Sequence, residues 1–322
     1  MLIFIYKCPG SVEDNDDYYT INKDVSVLPY ESAIFHESII IENYPDSVFI
    51  ANPVKHRIER YQIDSNYYDT YSPIQLLFSE SLYHNGTSMN WHNINTAGNT
   101  AGINTPVDFV ITSNSGYIWI LDQNGITQRY FVDGAVKAVF NPVSTECNTF
   151  LQIEYTDHLL VLSQDVSGNY YICHLDESTG NFNAANPFDA VEMTHPETSR
   201  LVKNVPHFKA NINGIYIMQE LTTTPPEFPV FFLEKRDMNF QFLSGVYLYE
   251  ASGMSFFENQ LVVSGRQRNY NDAVTVFNHD LDREKSYDAQ VTPKLNGIVH
   301  AYDIDLFINS FEPNTTAHIV QK

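Results

Sequence analysis

The chain has 322 residues, 43% of them apolar and 14% aromatic, with 18 Lys and Arg against 39 Asp and Glu for a formal charge of -21. That length admits two ordinary domains or one large closed all-β domain, and the apolar share is ample for a core. A field of this sign repels phosphate backbones and no basic patch offsets it, which argues against a nucleic-acid partner; the plain role of the charge is solubility.

In chain order, the apolar start from Met1 to Lys7 is too short for a secretory leader core, lacks a basic beginning and a cleavage site, and cannot span a membrane. Neither a leader nor membrane insertion is expected, and Leu2 to Tyr6 reads as an isolated strand. Residues 10–36 follow, with the acidic run Asp14-Asn15-Asp16-Asp17. This run lacks the alternation, turn glycine and distant Glu of a calcium loop, so a solvated insertion is expected.

Six short apolar runs then recur: Ser47 to Asn52, Tyr117 to Asp122, His158 to Ser163, Ile215 to Gln219, Gln260 to Gly265 and Asp305 to Ser310. Centred on Phe49, Ile118, Leu160, Tyr216, Val262 and Leu306, they are spaced 69, 42, 56, 46 and 44 residues apart. One buried strand per period of roughly 40 to 50 residues is the signature of a β-propeller. Behind most runs comes an alternating segment such as Gly125 to Val132 or Glu227 to Glu234, then a polar turn and an aromatic strand, as in Lys235-Arg236-Asp237-Met238-Asn239-Phe240. Such turns suit hairpins, so each unit reads as a four-stranded antiparallel meander.

The expected fold is all-β, a single propeller over residues 1–322 with six blades near 37–78, 105–141, 148–188, 205–249, 253–291 and 295–322. The last blade has room for three strands, and the N-terminal strand is expected to join this C-terminal blade and close the ring, since a bare edge is costly. A second insertion is expected at 79–104, where Tyr83, Trp91 and His92 stand among Asn and Ser.

The second run, with Pro106-Val107-Asp108-Phe109-Val110 before it and Gly125-Ile126-Thr127-Gln128-Arg129-Tyr130 after it, resembles an NHL-type propeller repeat. The first run resembles it through Val48 to Asn52 and His56 to Tyr61, and the later runs depart from the Gly and Asp signature. The resemblance implies a binding scaffold that offers a ring face to partners. Other propellers of similar construction are hydrolases, lactonases or lyases with a metal in the channel, and others are structural parts of phage tails. No catalytic motif of the family carries over, so no catalytic residue is assigned.

Candidate channel ligands are Asn52, Asp122, Glu220 and Asn309, each close behind a core run. If they converged, their oxygens would suit calcium; otherwise they cap strand ends. Tyr83, Trp91 and His92 are candidate partner-binding residues, because such rings bury area at low entropic cost and keep a polar handle. The three cysteines Cys8, Cys147 and Cys173 form neither a disulfide framework nor a metal pattern, and the 11 histidines show no zinc grouping. Nucleotide-binding glycine loops and a serine-nucleophile elbow are absent. The expectation is a non-enzymatic interaction or assembly module without cofactor, in a virion or a cell-surface complex, whose partners are other proteins. The alternatives are a calcium-dependent hydrolase or lactonase and a glycan-binding module.

Overall fold

The structure, a computed structural model, describes residues 2–7, 19–25, 38–39, 47–63, 76–93, 96–112, 116–123, 125–140, 147–176, 181–182, 190–196, 202–221, 230–248, 250–257, 260–266, 272–288, 299–302, 305–309 and 317–321. Among the described residues every helix or strand is a strand, and the strands form six sheets. The first sheet orders β3 (Ser38–Ile39), β4 (Ser47–Asn52), β5 (Arg57–Ile63), β6 (Leu76–His84) and β7 (Met89–His92). The second contains β8 (Asp108–Thr112), β9 (Tyr117–Asp122), β10 (Gly125–Tyr130) and β11 (Val136–Phe140). The third contains β12 (Thr149–Tyr155), β13 (Leu159–Gln164), β14 (Tyr170–Asp176), β15 (Asn181–Phe182) and β16 (Ala190–Glu192), the last two both on β14.

The fourth sheet is the meander β17 (Asn204–Asn211), β18 (Gly214–Leu221), β19 (Val230–Arg236) and β20 (Phe242–Leu248). The fifth repeats it with β21 (Glu250–Phe257), β22 (Gln260–Arg266), β23 (Asp272–Phe277) and β24 (Arg283–Asp288). The sixth orders β2 (Tyr19–Val25), β1 (Leu2–Lys7), β27 (Ala317–Gln321), β26 (Asp305–Asn309) and β25 (Val299–Tyr302). Here β1 lies parallel to β27, with Phe4 opposite Ile319 and Ile5 opposite Val320. The N-terminal strand therefore joins the C-terminal sheet, and it brings β2 with it as a fifth strand.

Packing explains the apolar runs. The middle strands β9, β13 and β18 are buried on both faces, so they read as continuous apolar segments instead of alternating ones. One core of Phe49, Ile58, Phe109 and Ile118 lies between the first and second sheets, and another of Trp119, Phe140, Ile153 and Val161 between the second and third. A third, with Leu160, Ile172, Phe208, Ile217, Met254 and Val263, runs through the third, fourth and fifth sheets. The first strands follow one another: β8 lies beside β12, β12 beside β17, β17 beside β21, and β21 beside β25.

Three hairpins share one turn. Asp165, Asp237 and Asn278 each turn a side-chain oxygen back to accept two backbone N–H groups at 2.8–2.9 Å, those of Ser167 and Asn169, Asn239 and Gln241, and Asp280 and Asp282. The fourth residue of each turn is left-handed, with φ of 85° at Gly168, 63° at Phe240 and 68° at Leu281. Gly168 is exposed, whereas Phe240 and Leu281 are buried and join the third core. The two non-glycine residues accept a conformation costing about 1–2 kcal/mol because it aims an apolar side chain inward.

Two expectations are corrected. Cys147 and Cys173, whose spacing indicated no disulfide framework, form a disulfide that ties the residues just before β12 to β14 inside the second core. Residues 79–104 were expected outside the blades, yet they supply part of β6 and all of β7, and Gly98 and Asn99 donate to the carbonyls of Lys55 and His84. Of the other expected insertion, 10–36, residues 19–25 form β2 and the rest lies outside the described residues.

Candidate functional site

The first strands of consecutive sheets meet in a polar seam. Asp108, at the head of β8, accepts the N–H of Phe109 on one oxygen and that of Ile153 in β12 on the other, both at 2.8 Å. Gln152 accepts the N–H of Phe208 in β17 at 2.9 Å, with its amide nitrogen 3.0 Å from Nδ1 of His207. Two residues on, Glu154 receives the Lys209 ammonium at 2.7 Å and the Ala210 N–H. The offset holds between the two steps, so β12 and β17 run in the same direction.

Burial perturbs all three charged groups. Loss of water raises Asp108 to about 7, against the pull of its two backbone donors. Glu154 is pushed well above the usual carboxylate range by burial first and by the neighbouring Asp108 charge second. Burial lowers Lys209 to about 7. Titratable groups perturbed together in this way mark candidate functional positions. Sequence reasoning passed over them. The available signal was a charge flanked by apolar residues inside a strand, as in Ile153-Glu154-Tyr155 and Phe208-Lys209-Ala210.

A second buried cluster sits in the fourth sheet. Glu234 accepts Nε of Arg236 at 2.7 Å, and the other guanidinium nitrogens donate to the carbonyls of Phe240 and Thr194, each at 3.3 Å. Burial raises the Glu234 carboxyl and Arg236 partly offsets it. The amide of Gln219 acts on this carboxyl, but neither its nitrogen nor its oxygen, nor Oε2 of Glu234, makes a well-formed hydrogen bond. Arg129 plays the matching part in the second sheet, donating to Thr127 at 3.3 Å and to the carbonyls of Gly134 and Gly102 at 3.0 and 2.6 Å. These guanidinium groups fasten turns and crossing segments.

The expected ligands are engaged locally. Asn52 donates to Glu59 at 3.0 Å and accepts the Lys55 N–H at 2.9 Å, closing its own hairpin. Asp122 accepts the Asn104 N–H at 2.9 Å and attracts Arg129. Glu220 pairs with Lys203 and takes a bond from Asn204 at 3.3 Å. Asn309 ends β26, and its side chain lies outside the described residues. Among the described residues no three His, Cys, Asp or Glu side chains gather as a metal-holding group.

Two expected partner-binding residues join Asn52 in one network of the first sheet. Arg57 pairs with Glu59 and donates to the Thr96 carbonyl; Thr96 donates its hydroxyl to Tyr83 at 2.9 Å, and the Tyr83 ring lies 4.7 Å from that of His92. Tyr83, a candidate partner-binding residue by sequence, is buried. Trp91 faces the other way, donating to the Phe131 carbonyl at 2.6 Å and meeting the Phe49 ring edge-on at 6.0 Å. It seals the junction between the first and second sheets and is half-buried.

Besides Tyr130 at the end of β10, exposed aromatic side chains among the described residues lie on the outermost strand of the fourth sheet. Phe242 and Tyr247 on β20 are each 45% exposed and Leu243 52%. The buried Phe232 ring lies between them, 6.5 Å from Phe242 and 4.9 Å from Tyr247, with His195 at 4.8 Å. Phe232 lies across Gly245, where a Cβ would strike the ring.

No family model matches the chain, and no curated protein does. Among solved structures it is similar to the extracellular domain of BT4673 from B. thetaiotaomicron, solved under the description of a one component system, at 11% identity and a TM-score of 0.46 over 90% of this chain. The same domain, described as part of a hybrid two component system, aligns at 10% identity and a TM-score of 0.42. The chain spans about a third of those structures, 34% in both cases. No described helix is long and apolar enough to cross a membrane.

Proposed function

We propose that the chain is a six-bladed propeller acting as a non-enzymatic interaction module, with one end of its sheets as the contact face. The six sheets in chain order, the shared direction of β12 and β17, and the β1–β27 pairing all support the ring. The observation that carries the interaction reading is where apolar side chains stand in water. Ile212 in the β17–β18 turn is 91% exposed and Val132 in the β10–β11 turn 80%, with Met238 exposed in the β19–β20 turn. In a meander these turns fall at the same end of each sheet, so in a ring they share one face, with exposed Val54 and Val166 in turns at the opposite end; grouped apolar exposure marks contact sites.

The disulfide between Cys147 and Cys173 supports a cell-surface or virion setting over a reducing one. Nothing in the placement of Asn52, Asp122 or Glu220 favours the calcium-dependent hydrolase, since each closes a local contact. The test is selection of a displayed random-peptide library on the purified full chain, repeated on Val132→Asp/Ile212→Asp. Ligands that bind the natural chain and lose the variant support the reading. Absence of such ligands, together with stoichiometric calcium and calcium-dependent hydrolysis, overturns it.

A further inference from the structure

Deepening that interaction reading, we infer that β20 is a docking edge that accepts an extended, basic segment of a partner protein as an added strand. It ends its sheet, pairing with β19 alone, so one side of its backbone has no ladder partner among the described strands. Natural edges are commonly guarded by charge or by very short strands. The other outer strands follow that rule: β11 carries Lys137, β24 carries Arg283, Glu284, Lys285 and Asp288, and β7 has four residues with Trp91 turned onto Phe131. By contrast β20 reads Phe-Leu-Ser-Gly-Val-Tyr-Leu over seven residues without one charge. Exposed Phe242, Leu243 and Tyr247 offer apolar contacts, and the Phe232 ring seated across Gly245 fills the centre of the strand's inner face. Main-chain bonds then supply affinity and alternate side chains supply selectivity.

Charge names the occupant. At the start of β20 stand Asp237, exposed Asp282, and Asp280 at 61% exposure, the last joined to the strand where the Ser244 hydroxyl donates to its carbonyl at 3.1 Å; Asp280 pairs with Lys235 at 3.1 Å, so three carboxylates face one lysine and the rim is net negative. An acidic rim beside an apolar edge suits a segment with apolar residues at alternate positions and a lysine or arginine at one end. A second copy of this chain brings a further charge of -21 against the first and is disfavoured.

The test uses the full chain and a fluorescent synthetic peptide of alternating valine and threonine flanked by lysines. Two control peptides carry glutamates in place of the lysines or N-methyl groups on alternate backbone nitrogens. Binding of the lysine peptide should weaken about tenfold or more in both controls, the scale of one or two lost hydrogen bonds or charge contacts. Leu243→Lys should weaken it similarly, and being at an exposed position it leaves the fold intact by circular dichroism. Equal binding of the N-methylated peptide, or no binding at all, overturns the inference. So does a dimer in sedimentation that Leu243→Lys disperses, because the occupant is then a second copy. If selected ligands depend on Val132 and Ile212 while this peptide does not bind, the edge fails and the interaction reading stands. Edge-dependent binding without face-dependent ligands gives the reverse.

Discussion

Lys209 of β17 reaches across the seam to set its ammonium 2.7 Å from the Glu154 carboxylate of β12. Glu154 is buried and Lys209 nearly so, and Asp108 adds a second carboxyl against Glu154. Asp108 sits at about 7 in the fold against an ordinary 3.8, so between those pH values the folded chain holds a proton that the unfolded chain has lost. Its contribution is present in acid and is lost as pH rises towards 7. Lys209, lowered from 10.5 to about 7, works in the opposite sense: above 7 the unfolded chain binds the extra proton, and stability rises with pH. The joint contribution is therefore lowest near pH 7. Thermal midpoints from pH 4 to 10 should show this, and Asp108→Asn should flatten the acid limb while leaving the alkaline limb in place.

The disulfide closes a sequence separation of 26 residues. Loop-closure entropy for that span stabilises by about 3 kcal/mol. Denaturant unfolding of Cys173→Ala, compared with the natural chain under oxidising conditions, should show a loss of that order. Native-state reduction should be slow, since both sulfurs are buried.

The shared turn separates backbone strain from packing. Gly168→Ala places a Cβ in open space at φ 85° and should cost about 1–2 kcal/mol from strain alone. Phe240→Gly releases similar strain but empties a buried site, for which aromatic truncation costs about 3–5 kcal/mol, so it should be net destabilising by about 2 kcal/mol. Equal midpoints for Phe240→Gly and the natural chain would show that the ring's packing is worth no more than the strain it requires.

Gly245→Ala should destabilise by about 1–3 kcal/mol, because its Cβ drives the Phe232 ring against Phe242, Tyr247 and His195. Adding Phe232→Leu should recover part of the loss. A double-mutant cycle in urea measures the coupling.

Sequence legibility followed burial. Runs such as Tyr117 to Asp122 stood out because strands covered on both faces tolerate few polar residues. Five of the six sheets fall close to the expected repeat boundaries for that reason, whereas the first runs on to His92. The first strands were harder: Gln152, Glu154 and Lys209 look like surface residues until a neighbouring strand satisfies them. Residues 79–104 were hidden by composition, since the Asn and His around β7 mimic loop chemistry while Trp91 and Met89 pack inward. Tyr83 was misjudged because its hydroxyl partner, Thr96, lies beyond the strand that carries it. The disulfide was illegible because one cysteine precedes a strand and the other lies within one, at no characteristic spacing. Exposed apolar residues of β20 carry no local signature, as exposure is set by what a sheet lacks on its outer side.

The parallel contact of Phe4 with Ile319 also sets an order in time. Nearly the whole chain separates these residues, so their meeting carries the largest loop-closure cost of any ladder described. On a ribosome, β1 is made long before β27, its partner across this seam. Until then its Leu-Ile-Phe-Ile-Tyr run has only the β2 hairpin for shelter. During synthesis this strand is a segment that a chaperone could shelter, and release from it should coincide with completion of the sixth sheet.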